Sequence, residues 1–133
     1  MKKKHTPLIV TTFLTLILLM AAALFSNKKS GDMDPQAFKK ELENRSGVVI
    51  DVRTPGEYET GHLAETDYLI DFLSDDFDEE INKLDKEKTY YLYCRSGNRS
   101  GKAMKKMLDA GFQEVYNVGG YEELVAAGIP SKR

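Results

Sequence analysis

The sequence is poor in the residues that form disulfides and metal sites. Its 133 residues include one cysteine, two histidines and no tryptophan. A single cysteine excludes a disulfide within the chain and any zinc site built from several cysteines. One of the two histidines, His5, lies near the N-terminus in a stretch of distinct composition. We therefore expect neither a protein-built metal site nor a cofactor.

Positive charge is scarce in the main part of the chain. Residues 1–30 contain five of the 19 lysines and arginines and no acidic residue. Residues 31–133 are left with 14 basic and 21 acidic side chains, a net charge of −7. Proteins that bind DNA or RNA usually concentrate positive charge. This balance argues against nucleic acid as a partner.

Residues 1–30 have the composition of a targeting segment. Three lysines at positions 2–4 precede an uncharged run over residues 7–25, and small residues at 21–23 favour a signal peptide cleaved after Ala23. The alternative is an uncleaved membrane anchor through residues 8–25, which as a helix would span about 27 Å of a bilayer core of about 30 Å. Both predictions place a domain of residues 31–133 outside the cytoplasm, in the periplasm or another extracytoplasmic space.

Strand and helix patterns alternate through residues 31–133. Apolar runs without polar alternation are typical of strands that are buried on both faces. Alternation of strands with helices predicts an α/β fold, in which a mostly parallel sheet carries helices on both faces. Strands are predicted over residues 47–53, 68–72, 89–94 and 114–118, and helices over 35–45, 74–85, 100–110 and 121–127, with a short helix starting at 54–57.

The candidate chemistry lies where a predicted strand ends at Cys94 and a helix follows. In an open α/β sheet, ligands bind at the carboxyl ends of the strands. A tight turn into a helix points several backbone N–H groups at one spot, which favours anions. We predict Cys94 as the catalytic nucleophile and the loop after it as the substrate-binding segment: Arg95, Ser96, Gly97, Asn98, Arg99 and Ser100.

The charge around this loop favours a reactive thiolate. Residues 95–106 contain five basic side chains and no acidic one, within an otherwise acidic domain. A helix N-terminus and nearby arginines lower the pKa of a thiol and so increase its thiolate fraction. The alternative is that Cys94 is an inert core thiol, which is the common fate of a lone cysteine. An inert thiol would need neither the glycine turn at Gly97 nor the arginines.

The loop sequence CRSGNRS resembles the active-site loop of the rhodanese-like sulfurtransferases. Two further segments agree in order and spacing, one running from 51 to 63 and the other from 115 to 130. The likeness covers residues 33–130. It implies a rhodanese-like fold, with a five-stranded, mostly parallel sheet flanked by helices on both faces. It also implies that loop amides hold a persulfide on Cys94.

The resemblance implies transfer of sulfur through a covalent intermediate. Cys94 would take the outer sulfur from thiosulfate or a similar anionic donor and pass it to an acceptor, either a thiol, cyanide or a protein. A non-catalytic persulfide or anion carrier that docks on a partner is the first alternative. A small cysteine phosphatase is the second, and it is disfavoured because four residues separate Cys94 from Arg99, whereas related phosphatases have five.

Two departures from the family pattern concern the rim of the pocket. Residues 64–67 replace the Pro-Gly-Ala that often follows the Gly-His-aliphatic motif, and the aromatic residue after Gly119-Gly120 is Tyr121 rather than tryptophan. These differences affect the expected acceptor more than the Cys94 loop.

Other polar residues have structural interpretations. We expect Asp51 and Arg53 to form an ion pair, since one-step sulfur transfer needs no acid–base pair. We expect a structural hydrogen bond from His62. The acidic stretch over residues 65–87 is expected to be a solvated surface, with docking of a basic partner as the lesser alternative.

Overall fold

A computed structural model describes residues 30–133 and, in the N-terminal stretch, Ile17. Apart from Ile17, the expected signal peptide or anchor over residues 8–25 lies outside the described residues. Within the described part, no helix combines the length and the apolar character needed to cross a membrane. All helices and strands named below lie within residues 30–133.

This region contains five helices and seven strands. The helices are α1 (Pro35–Glu43), α2 (Pro55–Thr60), α3 (Phe77–Asn82), α4 (Asn98–Asp109) and α5 (Tyr121–Ala126). The strands are β1 (Gly31–Asp32), β2 (Val48–Asp51), β3 (His62–Leu63), β4 (Tyr68–Leu69), β5 (Thr89–Cys94), β6 (Glu114–Gly120) and β7 (Ser131–Lys132).

Five of the strands form one parallel sheet in the order β1-β6-β5-β2-β4. The five-stranded sheet that the resemblance implies is confirmed, although its edge strand β1 was not among the four strands predicted from the residues. Because the strands are parallel, the chain must return across a face of the sheet between them, and the helices supply most of these crossovers. A second pairing, between β3 and β7, is antiparallel and was not predicted. It joins the segment after α2 to the C-terminal residues.

Helices cover both faces of the sheet, as predicted. On β5, Leu92 and Cys94 point into one buried cluster, while Tyr91 and Tyr93 point into the other. Alternation along a strand sends successive side chains to opposite faces, so a central strand needs apolar residues at every position. The first cluster receives Phe77 and Ile81 from α3 and Ala103 and Met107 from α4, and the second receives Phe38 from α1 and Leu124 from α5.

Several predicted boundaries were wrong. The strand predicted over 68–72 is limited to Tyr68–Leu69, although the N–H groups of Ile70 and Phe72 still donate to the carbonyls of Asp51 and Val52. The helix predicted over 74–85 is limited to Phe77–Asn82, and the Ser74 hydroxyl accepts the Asp76 N–H in a turn before it. The helix predicted over 100–110 begins at Asn98, because the Gly97 carbonyl accepts its first bond from Gly101 N at 3.0 Å.

Candidate active site

The loop after β5 curls because Gly97 adopts a backbone conformation that other residues avoid. Its φ is +90°, in the left-handed region where glycine has no Cβ to clash. A Cβ on Gly97 would also lie only 3.3 Å from Gly119 Cα on β6. Gly97 is followed directly by the 12-residue helix α4. The turn therefore brings the N-terminus of α4 against the end of β5.

The sulfur of Cys94 accepts hydrogen bonds from this turn. Gly97 N–H donates to Sγ at 3.0 Å, and the Ser100 hydroxyl lies 3.3 Å from Sγ. Burial of Cys94 acts to raise the pKa of its thiol. The Ser100 hydroxyl and the backbone amides of Ser100, Ser96 and Gly97 outweigh that effect, and the pKa is lowered below its ordinary value. The environment therefore shifts the thiol toward its thiolate form, although Cys94 is fully buried.

Ser100 also contacts Asn117, a residue of β6. The Ser100 hydroxyl lies 2.7 Å from Asn117 Oδ1, and the side chain of Ser100 is fully buried. The amide nitrogen of Asn117 donates to the Gly97 carbonyl at 3.1 Å and to Asp32 at 2.9 Å. Asn117 therefore connects the loop to two strands of the sheet.

Arg99 forms an ion pair with Glu57 of α2. Its two terminal nitrogens donate to the two carboxylate oxygens of Glu57, each at 2.8 Å. Hydrogen bonding from Arg99, with a smaller contribution from Thr54, lowers the pKa of Glu57 to about 2. Arg99 was expected to balance the charge on the sulfur, but its guanidinium is engaged mainly by Glu57. Cys94 adds only a weaker electrostatic effect, in the direction that raises the pKa of Arg99.

The remaining loop residues face solvent. Arg95, Ser96 and Asn98 are exposed. Among the described residues, Arg95 has no ion-pair partner within 4 Å. Of the two loop arginines, Arg99 is paired with a carboxylate and Arg95 is not paired with one among the described residues.

The predicted ion pair at the end of β2 is confirmed. Arg53 donates to Asp51 at 2.7 Å, and the side chains are 4% and 0% exposed. Arg53 also donates to the Gly61 carbonyl at 2.7 Å. Its guanidinium lies 4.4 Å from the ring centre of Tyr121, so this tyrosine provides an aromatic surface at the position after Gly120.

The predicted structural role of His62 is also confirmed. Its Nδ1 lies 3.1 Å from the carbonyl of Tyr58, and the two rings stack with their centres 3.7 Å apart. His62 is buried in the β3–β7 pair. These contacts hold the end of α2 against β3.

Two clefts of similar size flank the Cys94 loop and differ in charge. The first, of about 510 Å³, is lined by Arg95 together with Lys132 and Arg133. The second, of about 520 Å³, lies on the side of Ser96 and Gly97. Arg53, Tyr121 and the two carboxylates of Glu57 and Glu122 also line the first cleft, so basic side chains outnumber acidic ones there, whereas the charged residues that line the second are Asp32, Asp34 and Glu123. We call them the basic cleft and the acidic cleft.

The family of the chain follows from a match over most of the described residues. The family model of the rhodanese-like domain matches residues 34–127. The chain belongs to the rhodanese-like family. The family resemblance in the sequence is thereby confirmed, and the matched residues include the loop after Cys94.

Several relatives of this rhodanese-like chain are named in curated collections of proteins. A thiosulfate sulfurtransferase, GlpE, of Ectopseudomonas mendocina is 32% identical over 93 residues, which cover 70% of this chain and 83% of that protein. A tRNA uridine(34) hydroxylase of Pelagibacter ubique is 31% identical over 94 residues, which cover 71% of this chain but 31% of that longer protein. Relatives of the rhodanese-like domain thus carry different names.

Solved structures share the fold. A rhodanese-related protein of Thermoplasma volcanium has a TM-score of 0.66 and 25% identity, covering 76% of this chain and 96% of that one. A rhodanese of E. coli, solved with anions, has a TM-score of 0.53 and 26% identity. The match covers 65% of this chain and 96% of that one. The rhodanese-like α/β fold is therefore shown for this chain.

Two residues of the site were given no functional role from the sequence, although both lie in the segments that resemble the family. Glu57 lies three residues after Thr54, the spacing of a helix capping box, and the structure contains that box. The spacing predicts the cap but not the ion pair with Arg99, which joins residues 42 positions apart. Asn117 has no local signal, because its contacts with Gly97 and Ser100 cross between β6 and α4.

Proposed function

We propose that this protein is a sulfurtransferase that carries a sulfane sulfur as a persulfide on Cys94. The observation that supports the proposal best is the sulfur environment, in which the Gly97 amide and the Ser100 hydroxyl face Sγ and the pKa of the thiol is lowered. A thiolate is the nucleophilic form of cysteine. Membership of the rhodanese-like family adds support, as does a GlpE relative named for thiosulfate.

In the first half of the reaction, the thiolate of Cys94 attacks the outer sulfur of thiosulfate. A new S–S bond forms between Sγ and that sulfur, the S–S bond of thiosulfate breaks, and sulfite leaves with the bonding electron pair. The charge on the protein moves from Sγ to the outer sulfur of the persulfide. Amides around the turn, including Gly97 N–H, are placed to stabilise such an anion.

In the second half, an acceptor removes the outer sulfur. The acceptor, a thiolate or cyanide, attacks that sulfur, and the Cys94 thiolate leaves and is ready for another cycle. No proton has to be transferred in either half, so the scheme needs no general acid or base. It also needs no metal or organic cofactor. This is a ping-pong sequence through a covalent intermediate.

We propose that the anionic donor reaches the loop through the basic cleft. Arg95 lines that cleft together with Lys132, whereas carboxylates of Asp32 and Asp34 line the acidic cleft. A cleft with an excess of one sign of charge attracts ligands of the opposite sign. A dianion such as thiosulfate is favoured on the Arg95 side and repelled on the other.

Intact-mass measurement tests the proposal. Incubation with thiosulfate should add the mass of one sulfur atom, and cyanide should then remove it as thiocyanate. The added sulfur can only be a persulfide on Cys94, since the chain contains no other cysteine. The Cys94→Ser variant is the control and should stay unmodified. A wild-type protein that thiosulfate, polysulfide and other sulfane donors all leave unmodified would overturn the proposal.

Two alternatives give different results. A persulfide carrier would accept sulfur in the mass measurement but would not turn over thiosulfate with cyanide. A phosphatase would hydrolyse p-nitrophenyl phosphate without accepting sulfur. The phosphatase is the weaker alternative, because the guanidinium of Arg99, which would have to bind the phosphoryl group, is paired with Glu57.

We also propose that residues 1–30 direct the domain of residues 31–133 out of the cytoplasm. The basic residues followed by an apolar run support this proposal. A reporter fused after Arg133 should be active outside the cytoplasm, and the size of the product distinguishes a cleaved signal peptide from an anchor. Reporter activity confined to the cytoplasm would contradict it.

A further inference from the structure

We infer that Asn117 is a positioning residue that controls how the loop stabilises negative charge on Cys94. It acts through the hydroxyl of Ser100 and through the turn at Gly97. The relevance of Asn117 to sulfur transfer rests on the function proposed above. Its geometric basis is independent of that function.

The orientation of the Asn117 side chain is fixed by its partners. Its amide nitrogen lies 2.9 Å from a carboxylate oxygen of Asp32 and 3.1 Å from the carbonyl of Gly97. Both partners can only accept hydrogen bonds, so the NH₂ group must face them. The oxygen Oδ1 therefore faces Ser100, and it also accepts the N–H of Gly119 at 3.2 Å.

The hydroxyl of Ser100 has two acceptors and one proton to give. Asn117 Oδ1 lies 2.7 Å from it, and Cys94 Sγ lies 3.3 Å from it. While Sγ is neutral, the hydroxyl donates to Asn117, because that contact is shorter and gives the stronger hydrogen bond. When Sγ is negative, a charge-assisted bond to sulfur becomes the stronger one, and the hydroxyl turns toward it. Asn117 Oδ1 keeps the Gly119 N–H in either case.

This exchange follows the charge on Sγ during transfer. In the persulfide, Sγ is bonded to the outer sulfur and is neutral, and the hydroxyl bonds to Asn117. As the acceptor attacks, the S–S bond breaks and Sγ leaves as a thiolate, which gains the hydroxyl as a donor. Interactions that are stronger in the transition state than in the ground state speed a reaction. The gain comes from the Ser100 hydroxyl, and Asn117 limits it because its Oδ1 competes with Sγ for the same proton.

The second contact of Asn117 supports the turn. Its NH₂ group donates to the Gly97 carbonyl, which also accepts the first helical bond of α4 from Gly101 at 3.0 Å. The N–H of Gly97 donates to Sγ at 3.0 Å. Bonds at the Gly97 carbonyl restrict the turn in which that N–H lies. Loss of Asn117 should therefore weaken this donor while it also frees the Ser100 hydroxyl.

A double-mutant cycle separates the two effects. The rate of alkylation of Cys94 by iodoacetamide is measured against pH in wild type, Asn117→Ala, Ser100→Ala and the double variant. In the Ser100→Ala background only the weakened turn remains, and Asn117→Ala should raise the midpoint. With Ser100 present, loss of Asn117 also frees the hydroxyl to donate to Sγ, which stabilises the thiolate. The midpoint of the pH profile should therefore rise less than in the Ser100→Ala background, or fall. We expect a coupling of about twofold or more in the thiolate-to-thiol ratio.

Additive shifts, or coupling of the opposite sign, would overturn the inference. Asn82→Ala is the matched control: Asn82 is an exposed asparagine of α3 that donates to the carbonyl of Asp78, and its loss should leave the profile unchanged. If Asn117→Ala does not fold, Asn117→Asp provides the test. It keeps an oxygen toward Ser100 but replaces the NH₂ group, and it should raise the midpoint. An unchanged midpoint in that variant also contradicts the inference.

Failure of this inference is distinguishable from failure of the proposed function. Alkylation needs no sulfur donor, so the coupling can be measured in a protein that never accepts sulfur. A protein that forms the persulfide but shows no coupling would keep its proposed function and lose the role of Asn117.

Discussion

Two neighbouring strands of the sheet end in polar loops that differ in what their hydrogen bonds serve. After β2, Asp51 and Arg53 bond to each other, and Arg53 also bonds to a backbone carbonyl. After β5, the Gly97 amide and the Ser100 hydroxyl face the sulfur of Cys94. The first loop uses its polar groups within the protein, whereas the second directs them at an atom proposed to react.

The difference indicates that the two loops at this edge of the sheet have different roles, one in stability and one in chemistry. The buried ion pair fixes the shape of the loop after β2. The pair between Arg99 and Glu57, whose side chains are 21% and 30% exposed, joins the two loops. Changes in the β2 loop should therefore affect mainly stability, and changes in the β5 loop mainly chemistry.

The largest effect on chemistry should come from Cys94→Ser. The variant should form no thiocyanate from thiosulfate and cyanide, because a hydroxyl cannot form a persulfide. Serine is close to cysteine in shape, so the free energy of unfolding measured in urea should change by about 1 kcal/mol or less. Residual turnover near that of wild type would place the chemistry elsewhere. A large loss of stability in Cys94→Ser would contradict the expectation that changes in the β5 loop affect mainly chemistry.

Arg53→Met should have the largest effect on stability. It leaves the carboxylate of Asp51 buried without its partner, which typically costs about 3–5 kcal/mol. Urea unfolding measures this loss. The double variant Asp51→Leu/Arg53→Met removes the buried charge and should recover much of the stability. Folded molecules of either variant should alkylate Cys94 with the wild-type pH profile, and a shifted profile would show that this ion pair also acts on the sulfur.

Gly97→Ala should slow persulfide formation while the thiol is retained. Alanine at φ +90° costs about 1–2 kcal/mol, and its Cβ would be crowded against Gly119. Distortion of the turn weakens the N–H donor to Sγ, and we expect about a tenfold slower reaction with thiosulfate. Gly56→Ala is the control, because a Cβ there meets no atom within 4 Å. Equal rates in the two variants would argue against the amide contact.

Glu57→Gln should have a smaller, pH-dependent effect on stability. The pKa of Glu57 is lowered to about 2 from 4.5, mainly by Arg99, so the pair stabilises the folded state above pH 4.5. That contribution is lost as the pH falls through about 2. Because the pair is partly exposed, its loss at neutral pH should cost about 1 kcal/mol or less.

The measurement compares urea unfolding of wild type and Glu57→Gln at several pH values. The difference between them should be constant near neutral pH and shrink in acid. Glu59→Gln, an exposed acid on the same helix, is the control. A difference that does not shrink in acid would have a cause other than the ion pair.

The smallest effect should come from Lys132→Ser in the basic cleft. Removal of one exposed positive charge should raise the KM for thiosulfate about twofold at low salt. Salt at about 1 M should remove the difference, because the screening length falls to about 3 Å. The control is Lys88→Ser, the same charge change at the opposite end of β5. An equal rise in both variants would show that net charge, rather than the cleft, matters.

The sequence predicts the framework of the sheet well, because buried strands and helices leave strong periodic patterns. The strand from Val48 to Asp51 and the strand ending at Cys94 lie where apolar runs indicate them. The pair β3–β7 was missed because each strand has two residues, too few for any pattern. The start of α4 was placed too late, because Asn98 and Arg99 resemble loop residues and the first helical bond is accepted by Gly97.

The site was predicted to the extent that it is local. The position of Cys94 at a strand end and the need for glycine at position 97 follow from neighbouring residues. The partner of Arg99 does not, since Glu57 lies in a different helix. The same holds for Asn117, whose contacts depend on how β6 lies beside the loop. Side-chain partners distant in sequence require the fold.

The burial of Cys94, in a chain with no second cysteine, governs how the molecule would recover from oxidants. A sulfenic acid on its sulfur would find no internal thiol with which to condense into a disulfide. Reduction would have to come from an external thiol, through a mixed disulfide with the buried sulfur. Such a thiol must enter the same loop in which the outer sulfur of the persulfide would meet an acceptor. Repair and turnover would then share one path of access.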